Sequence, residues 1–149
     1  MSIFNAINTS GSALTAQRLR MDVVSSNIAN AQSTRAVLNE NGEFEPYRRK
    51  MVVMQQADSS FKSFLQHAQN ANSVSGVKVA SIVEDEQPFK LVYNPDHPDS
   101  NEAGYVEMPN VDPLREMVDL MSSTRSYEAN ITALNASKSM LMKALEIGK

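Results

Sequence analysis

Residues 111–148 read VDPLREMVDLMSSTRSYEANITALNASKSMLMKALEIG, and the spacing of their apolar side chains decides the fold class. Met117, Thr124, Ile131 and Leu145 recur every seven residues or a multiple of seven on one row. Leu120, Tyr127, Leu134 and Leu141 recur in the same way on the adjoining row. A seven-residue period keeps one narrow seam along a helix, which is the pattern of a coiled coil. Asp112 is placed as the N-cap, Pro113 as the first helical residue, and Gly148 as the stop after Ile147. Such a helix is about 50 Å long at ~1.5 Å per residue. Lys138 interrupts one row; its aliphatic stem can lie along the groove while the ammonium reaches water.

The other end of the chain carries a second copy of this period. Ile7, Leu14, Met21 and Ile28 share one row, with Ile3 and Val24 beside it. A helix over Asn5–Ala31 is predicted, weakened at Thr9–Ser12, where glycine and hydroxyl side chains compete with helical bonding. Small polar residues at Asn30–Thr34 end it. Val23, Val118, Met140 and Met142 lie off the seam, so the pattern supplies more apolar surface than one helix pair can hide.

Between the ends the texture changes. Asn41-Gly42 is a turn signal, and Pro46–Gln55, Val74–Val83 and Phe89–Tyr93 read as strands. Asn94–Gly104, punctuated by Pro95 and Pro98, reads as a rigid loop, and Phe61–Asn72 as an irregular or short helical excursion. The expected fold is α+β: paired long N- and C-terminal helices forming a coiled-coil axial core, with a β-rich insert of three to five strands. The helical domain is discontinuous, residues 1–34 with 107–149, and the insert spans 35–106.

Composition excludes several kinds of chemistry. The 149-residue chain has no cysteine, which removes thiolate nucleophiles, disulfides and cysteine-based zinc sites. Its net charge of −3 gives no general basic footprint for nucleic acid. The triplet Arg48-Arg49-Lys50 reads as a solvated strand or loop face, and Glu84-Asp85-Glu86 as a solvated turn. His97 within Asp96-His97-Pro98-Asp99 reads as part of a rigid surface turn, because His67 lies far away in sequence and no second ligand cluster accompanies it. Neither a nucleophile elbow nor a phosphate-cradling glycine loop is present. No catalytic, cofactor-binding or metal residues are therefore assigned.

The residues themselves resemble a known family. SALTAQRLRMDVVSSNIANA, residues 12–31, is similar to the N-terminal signature of bacterial flagellar rod and hook axial proteins, which ends in the Asn-Ile-Ala-Asn found here at Asn27–Asn30. Asn110-Val111-Asp112, Glu116–Met121 and Arg125–Asn130 resemble the matching C-terminal signature. Pro46–Lys50, Tyr93–Asp99, Gly104–Val111 and the tail Ala136–Gly148 are similar to proximal-rod members of that family.

The resemblance implies a structural subunit of the rod, polymerising through its terminal helices and contributing to flagellum-dependent motility. It also implies export without a cleaved signal peptide through the flagellar type III apparatus, a place in the periplasmic basal body, and partners among its own copies and other rod proteins. The first residues, MSIFNAINTSGSALTAQRLRMD, agree, having neither an early basic region nor the unbroken apolar core of a signal peptide. The family-motif residues carried over are Asn27, Ala29, Asn30, Asn110, Arg125, Tyr127, Ala129 and Asn130. Arg125 and Glu128 are spaced to pair along the helix, and asparagines inside helices call for capping or inter-helix hydrogen bonds. A soluble coiled-coil adaptor or export chaperone using the same apolar seam is the alternative reading.

Overall fold

The computed structural model describes residues 3–39, 42–57 and 76–147. Helix α1 spans Ile3–Ala29 and helix α2 spans Pro113–Ile147. Between them come strands β1 (Val37–Leu38), β2 (Phe44–Glu45), β3 (Lys50–Gln56), β4 (Val77–Glu84), β5 (Lys90–Tyr93) and β6 (Tyr105–Met108). They form three two-stranded sheets, β1 with β2, β3 with β4, and β5 with β6. The architecture is α+β.

Helix α2 starts where capping chemistry places its start. Asp112 Oδ1 accepts the Leu114 N–H at 3.1 Å, and the Asp112 carbonyl accepts the Glu116 N–H at 3.0 Å. Helix α1 runs unbroken through Thr9–Ser12, because the hydroxyls turn back onto the helix itself. Thr9 donates to the Asn5 carbonyl, Ser12 to that of Thr9, and Thr15 to that of Gly11. The hydroxyl run that weakens the sequence prediction thus coexists with helix.

The middle segment holds more strands than the three to five expected, and the additional ones are short. Pro46–Arg49 is not strand; β3 begins at Lys50. β1, β2 and β6, at two to four residues each, are too brief to leave a period in the sequence. Antiparallel pairing sets Val37 opposite Glu45 and Leu38 opposite Phe44, and in the other hairpin Lys90 opposite Met108 through Tyr93 opposite Tyr105. The Tyr93 and Tyr105 rings meet edge-on with centroids 5.3 Å apart. Gly104, at φ +78°, lets the chain turn between these strands, and a Cβ there would lie 3.0 Å from Tyr93. The excursion predicted at Phe61–Asn72, together with His67, Asn41 and Gly148, lies outside the described residues.

By contact the chain divides into two units. The described part of the first comprises residues 3–20, 52–57, 76–81 and 122–147. Here Ser12 Oγ accepts the Val77 N–H at 3.1 Å, and Gly76 sits so close to the Ser12 side chain that any Cβ would collide with it. The second comprises residues 21–39, 42–51 and 82–121. Its buried side chains include Val23, Val24, Tyr47, Val106 and Val111. Val23, expected off the seam and wet, is buried, whereas Val118, Met140 and Met142 are exposed.

Candidate functional site

Among the described residues, the most densely bonded region is a buried polar knot in the second unit, where the end of α1, the segment entering β3, Asp85 after β4 and the start of α2 meet. Asn27, in the last turns of α1, is 1% exposed and uses its whole amide. Its Nδ2 donates to the Lys50 carbonyl and to Glu116 Oε2, each at 2.9 Å. Its Oδ1 accepts the Lys50 N–H at 2.9 Å and the Tyr47 hydroxyl at 3.0 Å. By pairing with both backbone groups of Lys50, the side chain stands in for a neighbouring strand at the point where β3 begins.

Glu116 is completely buried, one turn into α2. One carboxylate oxygen takes the Asn27 amide; the other takes Arg49 Nε at 2.7 Å. The Arg49 fork also approaches Asp85 Oδ2 at 3.5 Å and Asp119 Oδ2 at 3.8 Å. Burial pulls the Arg49 pKa down, but the hydrogen bond and charge of Glu116, followed by those of Asp85, outweigh it and leave the net shift upward. A buried carboxylate is tolerated only when paired and hydrogen-bonded, and both conditions are met. Asn110 completes the knot: its Oδ1 accepts the Arg49 N–H at 2.8 Å, and its Nδ2 donates to the carbonyls of Gln87 at 3.1 Å and Asp85 at 3.3 Å.

Two expectations of solvated charge are therefore corrected. Arg49 is tied into the knot rather than facing solvent. Arg48 stacks over the Phe89 ring at 4.4 Å, and Lys50 Nζ lies 5.7 Å from the Tyr47 centroid. Asp85, central in the acidic triplet, is buried; its Oδ1 accepts the Gln87 N–H at 3.1 Å and its own N–H donates to the Arg49 carbonyl at 2.8 Å. Charge in sequence signals solvation only where no opposite charge converges on it. The distance of Arg49 from Glu116 along the chain hides that convergence. A cleft of about 480 Å³ beside the knot is lined in part by Arg35, Arg48, Lys50 and Glu84. Its cations are already engaged, Arg35 by Asp99 and the other two by aromatic rings.

The remaining motif residues sit as follows. Asn30 donates to the Ser26 carbonyl and accepts the Ser33 hydroxyl, closing the end of α1. Asn130 is half-buried and donates to the Ser126 carbonyl at 2.8 Å. Ala29, Ala129 and Arg125 are exposed, and no ion pair joins Arg125 to Glu128 among the described residues. His97 Nδ1 accepts the Asp99 N–H at 3.1 Å within a turn, and Asp99 binds Thr34 and Arg35.

Of the seam residues, Ile7, Leu14, Met21 and Ile28 are half-buried on α1. On α2, Leu120, Tyr127, Leu134 and Leu141 are half-buried, whereas Met117, Ile131 and Leu145 are exposed. The row accompanying Leu120 and its successors on the covered side is instead Glu116, Ser123, Asn130 and Ser137. Sequence reasoning missed Glu116, Arg49, Tyr47 and Asp85. The available signal was that Glu116 falls in heptad register with Ser123 and Ser137, on the row next to Leu120.

A family model described as Flagella basal body rod protein matches residues 7–36, and one described as Flagellar basal body rod FlgEFG protein C-terminal matches residues 102–147. The chain is similar to the flagellar basal-body rod protein FlgC of Bacillus subtilis, at 62% identity over 151 residues covering 100% of both chains. It is also similar to the proteins of that name from Salmonella typhimurium, at 45% identity over 149 residues and 100% of both, and from Borreliella burgdorferi, at 44% identity over 154 residues, 99% of this chain and 98% of that one. Asn27 lies in the first matched segment and Asn110 and Glu116 in the second, so the knot joins the two.

Proposed function

This chain belongs to the flagellar basal-body rod protein family, and from that premise we propose that it is a structural subunit of the rod, not an enzyme, polymerising through its terminal helices. The observation that carries this reading is the Asn27–Glu116 bond. It fastens together the two family-matched segments, while the opposite face of the first turns of α2 keeps Met117, Val118 and Met121 in water.

The assembly seam is assigned two roles. The row Leu120, Tyr127, Leu134 and Leu141, with Ile7, Leu14, Met21 and Ile28, serves the subunit's own coiled-coil core. Met117, Ile131 and Leu145 face neighbouring subunits, which are other copies or other rod proteins. Non-closing contacts between like surfaces generate a helical polymer. In this reading the axial domain is 1–34 with 107–149 and the insert is 35–106. Secretion uses the flagellar type III export machinery without a cleaved signal peptide, the site of assembly is the periplasmic basal body, and the output is motility. Among the described residues no helix is long and apolar enough to cross a membrane.

The test is isolation of basal bodies from cells making either the full chain or one lacking residues 3–29. The full chain is expected in the rod, and the deletion is expected to leave rods incomplete and cells without outer flagellar parts. Recovery of the full chain only from the cytoplasm, with rods intact, would instead indicate an export adaptor.

A further inference from the structure

The first turns of α2 are inside out. In a helix at a protein surface the apolar stripe normally faces inward and the charged residues face water. Here Leu114, Met117, Val118 and Met121 form a continuous i, i+3, i+4, i+7 stripe, yet they are 75%, 52%, 60% and 57% exposed. The covered side, roughly 140° around the helix at about 100° per residue, carries Glu116, Leu120 and Ser123, with Glu116 and Ser123 at 0% and 1% exposed. Hydrophobic burial alone favours the reverse orientation, with the four apolar side chains inside and the carboxylate in water.

What opposes that reversal is the knot. Glu116 is the α2 residue that both Arg49 and Asn27 grip, at 2.7 and 2.9 Å, with Arg49 reaching Asp119 as a weaker second hold. Immediately downstream lies Ser122-Ser123-Thr124. The buried Ser123 Oγ has no hydrogen-bond partner, and the division of the chain by contact falls here, between Met121 and Ser122, so the first turns of α2 belong to the second unit and the remainder to the first.

We infer that the Arg49–Glu116–Asn27 knot is a rotational latch that holds the first turns of α2 with their apolar stripe turned outward, and that its release lets the segment roll and bury that stripe. The latch rests on the reading above only in its consequence, that the outward stripe is available for contact with neighbouring rod subunits. Its existence is a property of the free chain. The latch stores the difference between two orientations of one helix, which makes the presented surface depend on a charge pair formed by distant segments.

Methionine oxidation by dilute hydrogen peroxide, read peptide by peptide in a mass spectrometer, reports the facing directly. In the native full chain Met117 and Met121 are expected to oxidise at rates similar to Met140 and Met142, which are 58% and 56% exposed on the same helix. In Arg49→Leu the rates at Met117 and Met121 should fall about fivefold, and those at Met140 and Met142 should stay constant. Arg49→Lys keeps the charge but loses the fork, so it covers the case in which the leucine variant does not fold; about a twofold fall confined to the same two residues is expected. Unchanged rates at Met117 and Met121 in the folded variants, or equal changes at all four methionines, would overturn the latch. Met117→Asp leaves Glu116 gripped and addresses the assembly reading separately. If that variant still enters rods while Arg49→Leu shows the protection, the latch stands and the assembly role of the stripe fails.

Discussion

Arg49 Nε and Glu116 Oε1 lie 2.7 Å apart although 67 positions separate the two residues in the chain. The pair is 12% and 1% exposed, so neither charge is well hydrated. Its worth therefore lies less in net attraction than in the cost of losing one partner. Glu116→Leu leaves the guanidinium only the longer contacts to Asp85 and Asp119, and Arg49→Leu leaves the carboxylate only the Asn27 amide; each should destabilise the second unit, by up to about 3–5 kcal/mol, in denaturant unfolding. The double variant Arg49→Leu/Glu116→Leu should recover part of that loss, because neither member of the closest pair is left stranded, although the buried Asp85 loses Arg49 as a partner. A double variant as unstable as the sum of the singles would contradict this account.

Asn27→Ala removes two donated and two accepted hydrogen bonds at once and leaves Lys50 and Glu116 short of partners. A loss of about 2–4 kcal/mol is expected, since each buried polar group left unsatisfied costs about 1–3 kcal/mol. Asn30→Ala, at a half-exposed C-terminal helix end, should cost about 1 kcal/mol or less, the net worth of an ordinary hydrogen bond. The contrast between two asparagines three residues apart is the informative quantity, and thermal unfolding of both variants measures it.

The helices and the knot were unequally legible in the sequence for a physical reason. A heptad period and the Asp112-Pro113 start are local signals, and both long helices stand where those signals put them, α2 with the expected bounds and α1 with each end two residues earlier. The carbonyl and amide positions that Asn27 satisfies belong to Lys50, and the charge that Glu116 neutralises belongs to Arg49. Such pairings are invisible to any window of sequence shorter than the loop that closes them. Charge type misled for the same reason: Arg49 and Asp85 each sit in a charged triplet, which locally indicates solvent. The Glu116, Ser123, Asn130 and Ser137 row was hidden because an apolar scan passes over acidic and hydroxyl residues, even where they hold perfect register with Leu120 and Leu134.

Gly104→Ala tests the turn between β5 and β6. The backbone there has φ +78°, and the added methyl would meet Tyr93 Cε2 at 3.0 Å. Left-handed backbone costs an L-residue about 1–2 kcal/mol, so a loss of at least that size is expected. The readout is thermal unfolding together with weakened near-ultraviolet signal from the Tyr93–Tyr105 ring pair.

The Arg35–Asp99 contact predicts a direction with pH. The Arg35 hydrogen bond, followed by that of Thr34, holds the Asp99 carboxyl below its ordinary value against the opposing effect of partial burial. A carboxylate whose folded pKa is depressed contributes stability above its unfolded value of about 3.9, and that contribution disappears as pH falls through the lower folded value. Asp99→Asn should therefore be less stable than the native chain near neutral pH, and the two should converge in acid below about pH 3.9. A stability gap that widens on acidification would reverse the sign and exclude this role.

Leu134→Asp and Ile131→Asp separate the two faces of α2. Leu134 is half-buried and Ile131 exposed, although both lie in the apolar rows of the heptad. A carboxylate at 134 meets a partly dry site and should lower stability by about 2–3 kcal/mol. At 131 it stays in water and should change stability by no more than about 0.5 kcal/mol. If the exposed row contacts neighbouring subunits, both variants lose swimming, but only the first loses folded protein in an unfolding assay. Normal motility with Ile131→Asp would remove that row from the assembly surface and leave the inward row as its sole structural seam.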